Sequence, residues 1–134
     1  MLHQRAEPPK KIDGPAAARQ FFAGCLAESD LSRETLWVAH LDRESRCLHV
    51  SRHPGDEFGT DFPLRRIVGD AAVHGSRAIL LAHNHPSGDP TPSDSDKRAT
   101  SRLACAAEAL DCLLVDHLVF GAGRCASFRE LGLL

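Results

Sequence analysis

The strongest constraint on the fold lies in the middle of the chain. There Ala78-Ile79-Leu80-Leu81-Ala82, a short and wholly apolar run, passes directly into His83-Asn84-His85-Pro86-Ser87-Gly88-Asp89-Pro90-Thr91-Pro92. An apolar run of this length reads as a buried strand. Three prolines and a glycine make the next segment a stiff loop. From Ser93 a helix begins, with Ala99, Leu103, Ala106 and Leu110 as its apolar stripe. Strand, rigid loop and helix in this order put the loop at the carboxyl end of a buried strand, where open α/β sheets bind ligands.

The flanking sequence supplies more of the same architecture. Pro15 opens a helix in which Ala18, Phe21, Phe22, Cys25 and Leu26 recur at helical spacing, ending near Glu28-Ser29-Asp30. Leu36-Trp37-Val38-Ala39-His40-Leu41 reads as a buried strand and Cys47-Leu48-His49-Val50 as its return across the polar turn Asp42-Arg43-Glu44-Ser45. Residues 52–61 read as an irregular loop with room for a short strand, Leu64 to His74 as a short helix, and Cys112 to Phe120 as a strand. Gly121-Ala122-Gly123 turns into a last short strand near Cys125. Helices alternating with strands, with one hairpin near the start, predict an α/β fold: a mixed β-sheet sandwiched by helices. Residues 1–14, with Pro8, Pro9, Lys10 and Lys11, read as a flexible tail ahead of one domain at 15–134.

Bulk properties exclude several classes. The formal net charge of −2 lacks the basic excess of a phosphate-gripping surface, so nucleic-acid binding is possible but not favoured. No apolar run is long enough for a membrane helix, and the polar N-terminus has no signal-peptide core, so a cytoplasmic location is expected. Five scattered cysteines without a Cys-x-x-Cys pair read as reduced thiols in apolar surroundings rather than as a metal site.

The chemistry concentrates around His83 and His85. Two apart at a strand end, their imidazoles point the same way and can face one ion. Asp96, in the first turn of the next helix, can return a carboxylate to the same place. Two histidines and one carboxylate leave a fourth position for water, the pattern of a catalytic zinc site. Asp89 and Asp94 are rival ligands on chemistry alone. Ser93-x-x-Asp96 is equally a helix capping box, and that tetrapeptide by itself favours the cap. Asp116 reads either as a partner that orients a ligand histidine or as a satisfied core acid. His40, His49, His53 and His74 stand isolated and read as structural or exposed, and Trp37 as core.

His83-Asn84-His85-Pro86, followed after seven residues by Ser93-x-x-Asp96, resembles the JAMM motif of the JAB/MPN metallopeptidases. His83 through Pro90, together with Leu114-Val115-Asp116-His117-Leu118-Val119 and Ser127-Phe128-Arg129-Glu130-x-Gly132-Leu133-Leu134, resembles specifically the RadC-like branch, over roughly residues 15–134. The resemblance implies a three-layer, cytidine-deaminase-like mixed sheet, with His83, His85 and Asp96 as Zn2+ ligands. It implies that Ser93 hydrogen-bonds the attacking water or the developing oxyanion. The family takes a glutamate from an upstream strand, and Glu34, just ahead of Leu36 to Asp42, matches it. A carboxylate there can accept the proton of a zinc-activated water and pass it to the leaving amine. Without the resemblance Glu34 reads as a solvated charge beside Arg33. Longer RadC-like proteins carry an N-terminal helical region, which is not expected here.

The function so implied is a zinc metallohydrolase, a metallopeptidase or isopeptidase acting on a protein or peptide. Two alternatives stand beside it: a DNA-repair-associated protein, after the label once given to the RadC-like branch, and an interaction module that keeps the fold without catalysis. The letters His-Asn-His do not make an HNH nuclease, whose residues are spread over a ββα unit. A zinc deaminase would need His-x-Glu and Pro-Cys-x-x-Cys, and both are absent. No motif specifies the substrate or the oligomeric state.

Overall fold

A computed structural model of the chain describes residues 10–57 and 62–134. Helix α1 (Pro15–Ala27) leads into strand β1 (Thr35–Leu41), which turns back as β2 (Cys47–Pro54). Helix α2 (Leu64–His74), strand β3 (Ala78–Asn84), helix α3 (Asp94–Glu108) and strands β4 (Leu113–Gly121) and β5 (Arg124–Ser127) follow. The five strands form one sheet in the order β2-β1-β3-β4-β5. Only β3 and β4 run parallel, joined by the α3 crossover. The result is the expected mixed sheet between helices.

Two apolar layers hold it together. On one face Phe22 and Leu26 of α1 pack on Trp37, Ala39, Leu80 and Leu118. On the other, Ile67 and Ala71 of α2 and Leu103 of α3 pack on Leu36, Val38, Ile79 and Leu81. Covered on both faces, β1 is buried at every position, which is why its sequence shows no polar alternation. The edge strand β2 alternates between half-buried and exposed residues over most of its length. Gly75, at φ 62, ends α2 in the left-handed conformation. Among the described residues no helix is long and apolar enough to cross a membrane.

Three local expectations are revised. First, Lys10 to Ile12 is fixed rather than loose: Ile12 N–H donates to Ser45 O at 2.8 Å, Cys47 N–H to Lys10 O at 2.8 Å, and Ile12 is buried in the α1 layer. Residues 1–9 lie outside the described residues. Second, β2 runs on to Pro54, because Ser51 to Pro54 supply the partner that Thr35 to Val38 need on that edge. Phe58 to Asp61 of the expected loop lie outside the described residues. Third, α3 stops at Glu108, so Leu110 is exposed, and the buried face is Ala99, Thr100, Leu103 and Ala107. A polar Thr100 in that face hid the true helical phase. All five cysteines are free; Cys112 is buried and Cys105 exposed.

Candidate metal centre

Alternation along β3 puts Ile79, Leu81 and His83 on the α2/α3 face. The chain stays extended for one more residue, since His85 N–H donates to Phe120 O of β4 at 2.8 Å. His85 therefore faces the same side as His83. The loop then folds onto Gly121, where a Cβ would lie 2.7 Å from Gly88 O. This close approach, which only glycine permits, turns the chain back so that α3 starts beside the histidines.

Four side chains meet there. His83 Nε2 lies 2.9 Å from His85 Nε2. Asp96 Oδ2 lies 3.1 Å from His85 Nε2 and 3.4 Å from His83 Nε2. Glu34 Oε1 stands 3.8 Å from His83 Nε2, and all four donor atoms fall within 4.8 Å of one another. Donors held 2.0–2.2 Å from a tetrahedral ion stand about 3.4 Å apart, so the group could hold a single metal ion. Of the rival carboxylates, Asp89 spends its Oδ1 on Thr91 N–H and Oγ–H at 3.0 and 2.7 Å, and Asp94 is outside the group.

The hydrogen bonds behind the imidazoles decide which nitrogen offers a lone pair. Asp89 O can only accept, so His85 Nδ1, 2.8 Å away, carries a proton and leaves Nε2 bare. Behind His83 the chain is longer. Thr100 Oγ–H donates to Asp96 O at 2.7 Å, so its oxygen accepts from His117 Nδ1–H at 2.8 Å. His117 Nε2 then accepts from His83 Nδ1–H at 2.6 Å, and His83 Nε2 is bare as well. Two lone pairs and a carboxylate oxygen converging at these distances repel one another unless a positive charge sits among them. The donor set is thus suited to a cation. His117 is wholly buried, stacked on Phe128 with ring centres 4.6 Å apart and edge-on to Phe62 at 5.3 Å. Burial above all holds its pKa well below the usual imidazole range and keeps it neutral.

Asp96 unites the two readings of its tetrapeptide. Ser93 Oγ accepts Asp96 N–H at 3.0 Å, and Ser93 N–H donates to Asp96 Oδ2 at 2.9 Å, so the capping box is complete. The same Oδ2 faces the imidazoles. Burial raises the Asp96 carboxyl, but a proton on the facing His83 Nε2 whenever no cation stands there, with the Ser93 N–H and hydroxyl, outweighs it and holds it well below the usual carboxylate range. Ser93 itself is exposed, with its hydroxyl 3.0 Å from Ser95 Oγ.

Glu34 is positioned through its backbone. Asn84, on the opposite face of β3 from His83, accepts Thr35 N–H at 2.9 Å and donates to Arg33 O at 2.9 Å. One buried amide thus clamps the residues on either side of Glu34. Gly55 N–H donates to Glu34 O at 2.9 Å, and a Cβ on Gly55 would lie only 3.0 Å from that oxygen. The Glu34 side chain remains 41% exposed, so it stands at the open side of the group.

The sequence reading missed Asn84, Thr100 and His117 as parts of the site, and of its two readings of Asp116 the satisfied core acid is the one the hydrogen bonds support. Asp116 accepts His117 N–H, Ser127 Oγ–H and Arg129 N–H, and so ties β4 to β5 and the C-terminal turn instead of touching a ligand histidine. The cause is a register shift between Ile79 and Leu80, which pair with Leu114 and Asp116. The extra residue, Val115, sets His117 on the face of Leu114 and behind His83.

Comparison with known proteins agrees with this geometry. Residues 12–133 match the family model of the RadC-like JAB domain. The chain is 50% identical over 124 residues to a UPF0758 protein of Stenotrophomonas maltophilia, covering 91% of this chain and 52% of that one. It is 37% identical over 110 residues to the UPF0758 protein YfjY of Escherichia coli, covering 81% of this chain and 69% of that one. A UPF0758 protein of Symbiobacterium thermophilum is 38% identical over 136 residues, 99% of this chain and 57% of its own length. The chain thus spans about half the length of several curated relatives it matches. By fold, by the converging donor group and by this match, the chain belongs to the RadC-like JAB domain family.

Proposed function

We propose that the chain is a zinc-dependent hydrolase of amide bonds, a metallopeptidase or isopeptidase acting on a protein or peptide. The observation that carries this reading is the convergence of His83, His85 and Asp96, beside an exposed Glu34, at the mouth of a sheet. Zinc in such a site lowers the pKa of a bound water from 15.7 toward about 7 and polarises a carbonyl. The remaining work falls to the chain. Glu34, clamped through its backbone and open to solvent, takes a proton from the attacking water and returns it to the leaving amine. Ser93 accepts from Asp96 N–H and keeps its own hydroxyl proton, which it can offer to the developing oxyanion. Asn84 holds the first carboxylate in place, and His117 holds the first imidazole.

Two clefts flank the group and give a chain-like substrate somewhere to lie. One, of about 570 Å³, is lined by Glu34, Arg33, Arg52 and Asp56. The other, of about 700 Å³, runs between Leu26 and Leu31 on one side and His85, Pro86 and Phe120 on the other.

The test is the zinc content of protein purified without chelators. Wild type should hold about one tightly bound ion at this centre, and both His85→Ala and Asp96→Ala should lose it. Peptidase screening then follows, with Glu34→Gln keeping its zinc and losing turnover by at least the ~100-fold of a missing proton shuttle. Zinc retained by Asp96→Ala would return that residue to a helix cap and leave an interaction module as the better reading.

A further inference from the structure

We propose that His40, His49, Asp70 and His74 form a second, separate binding site for a divalent transition-metal ion, at the opposite end of β1 from Glu34. Each of these residues is isolated in sequence, and the fold assembles them. His40 and His49 are direct cross-strand partners on β1 and β2, so their side chains share a face. Asp70 and His74 are four apart on α2 and share a helical stripe. Because Ile67 and Ala71 dock α2 on Val38 and Ile79, that stripe comes down over the histidine pair.

The side chains lie near one another but more loosely than the first group, whose four ligand atoms alone among the described residues fall within 4.8 Å of one another. His49 Nε2 lies 3.9 Å from Asp70 Oδ2. Ring centres are 5.7 Å apart for His40 and His49, 6.2 Å for His40 and His74, and 4.2 Å for His49 and His74. Imidazoles bound at 2.0–2.1 Å to one ion have ring centres about 4.5–5.2 Å apart, and His83 and His85 stand at 4.8 Å. Closing the second group on an ion requires the rings to shift and turn toward it. His74 must also rotate out of its stack on His49, where the planes meet at 15° and cannot both contain the ion. His74 is exposed and free to do so.

His40 supplies the independent observation. It is fully buried, its Nδ1 is 2.9 Å from Ser76 Oγ, and its Nε2 is buried with no hydrogen-bond partner among the described residues. A buried ring nitrogen left unpaired carries a desolvation cost that coordination would offset. Burial, then repulsion from His49, lowers the His40 pKa to about 4, so the ring is neutral and able to coordinate at physiological pH. Three imidazoles and a carboxylate suit zinc, nickel or copper rather than calcium or magnesium. His40 lies four residue steps along β1 from Leu36, the partner of His83, which sets the two centres roughly 13 Å apart along the strand.

The test is a Zn2+ titration of the full, metal-stripped chain at pH 7.5, read by calorimetry and by bound zinc after desalting. Wild type should take two ions per chain. His49→Ala/His74→Ala, altered only at partly or fully exposed positions, should take one, and Asp70→Asn should weaken the second site at least tenfold. In 15N spectra, His40 Nε2 should shift on the second equivalent. Adding His85→Ala to the double variant should leave no bound zinc. One ion per chain in wild type, or a second ion indifferent to both His49→Ala/His74→Ala and Asp70→Asn, would overturn the proposal. Loss of an ion in the histidine double variant but none in His85→Ala would keep this site and sink the reading of the first, so the two stand or fall separately.

Discussion

At the Glu34 end of the β1–β3 pair, every imidazole has its second nitrogen tied to an acceptor: His85 to Asp89 O and His83 to His117, with Thr100 behind it. At the other end of the same strands, His40 is held by one nitrogen, His49 and His74 stack on each other, and the buried His40 Nε2 has no hydrogen-bond partner among the described residues. Both groups lie on the α2/α3 face and draw on the same residue types. What separates them is the hydrogen-bond layer behind the rings. The first group already has its four ligand atoms within 4.8 Å of one another, so binding there needs less reorganisation of side chains. The second needs rings to move, and its affinity should be lower by that cost.

Acid should separate the two ends most strongly. The His40 pKa is lowered to about 4 by burial and then by repulsion from His49, with His74 and His53 adding to it and Asp70 partly offsetting it. In the unfolded chain it returns to 6.5. The unfolded state therefore binds the proton first, and stability is complete above pH 6.5 and lost as pH falls from there to about 4. The loss from this residue is at most about 3 kcal/mol. Buried His117 shifts in the same direction and adds to the slope. Asp96 works in another window: its carboxyl is lowered, so its contribution is lost only below the ordinary 3.8. Urea midpoints of wild type and His40→Leu at pH 7.5 and 4.5 give the check. The variant, whatever its own stability, should lose much of the pH dependence. An unchanged slope would mean that the His40 pKa does not differ between the folded and the unfolded chain.

Removing the hydrogen-bond layer of the first centre should make it behave more like the second. His117→Ala deletes the acceptor that fixes His83 Nδ1–H, and zinc affinity should fall 10–100-fold, the usual cost of losing an orienting partner. His117→Gln, which keeps a side-chain carbonyl able to accept, should recover part of that. Competition with a chromophoric chelator measures both. Equal affinities in all three proteins would show that the ring of His83 is set by packing alone.

These contrasts also explain what could be read from the sequence. The apolar strand, the proline-rich loop and the helix start are contiguous, and strand and helix periods act locally, so His83 and His85 could be paired before any fold was known, while the family resemblance chose Asp96 over Asp89 and Asp94. Glu34 reaches them only through the antiparallel β1–β3 register and the Asn84 clamp, 49 and 51 residues apart in sequence. Nothing local marks it, and only the family resemblance singled it out. His117 was hidden by one extra residue in β4, since a register shift has no periodic signature. The His40 group was hidden because a strand pair and a helical phase must combine to make it. Lys10 to Ile12 looked like tail because their partners, Ser45 to Cys47, lie in a distant turn.

The smallest effect tests whether Asp96 holds its place through the cap or through the ion. Ser93→Ala removes the hydroxyl that accepts Asp96 N–H but leaves Ser93 N–H to bind Asp96 Oδ2. The helix start should lose about 1 kcal/mol, the ordinary cost of an N-cap. Because the carboxylate keeps both its backbone donor and the imidazoles it faces, zinc content should stay at the wild-type level. Thermal unfolding with and without added zinc measures both quantities on one sample. If zinc is lost along with the cap, the serine hydroxyl is what aims Asp96, and the first centre depends on its helix start far more than on the histidine chain behind it.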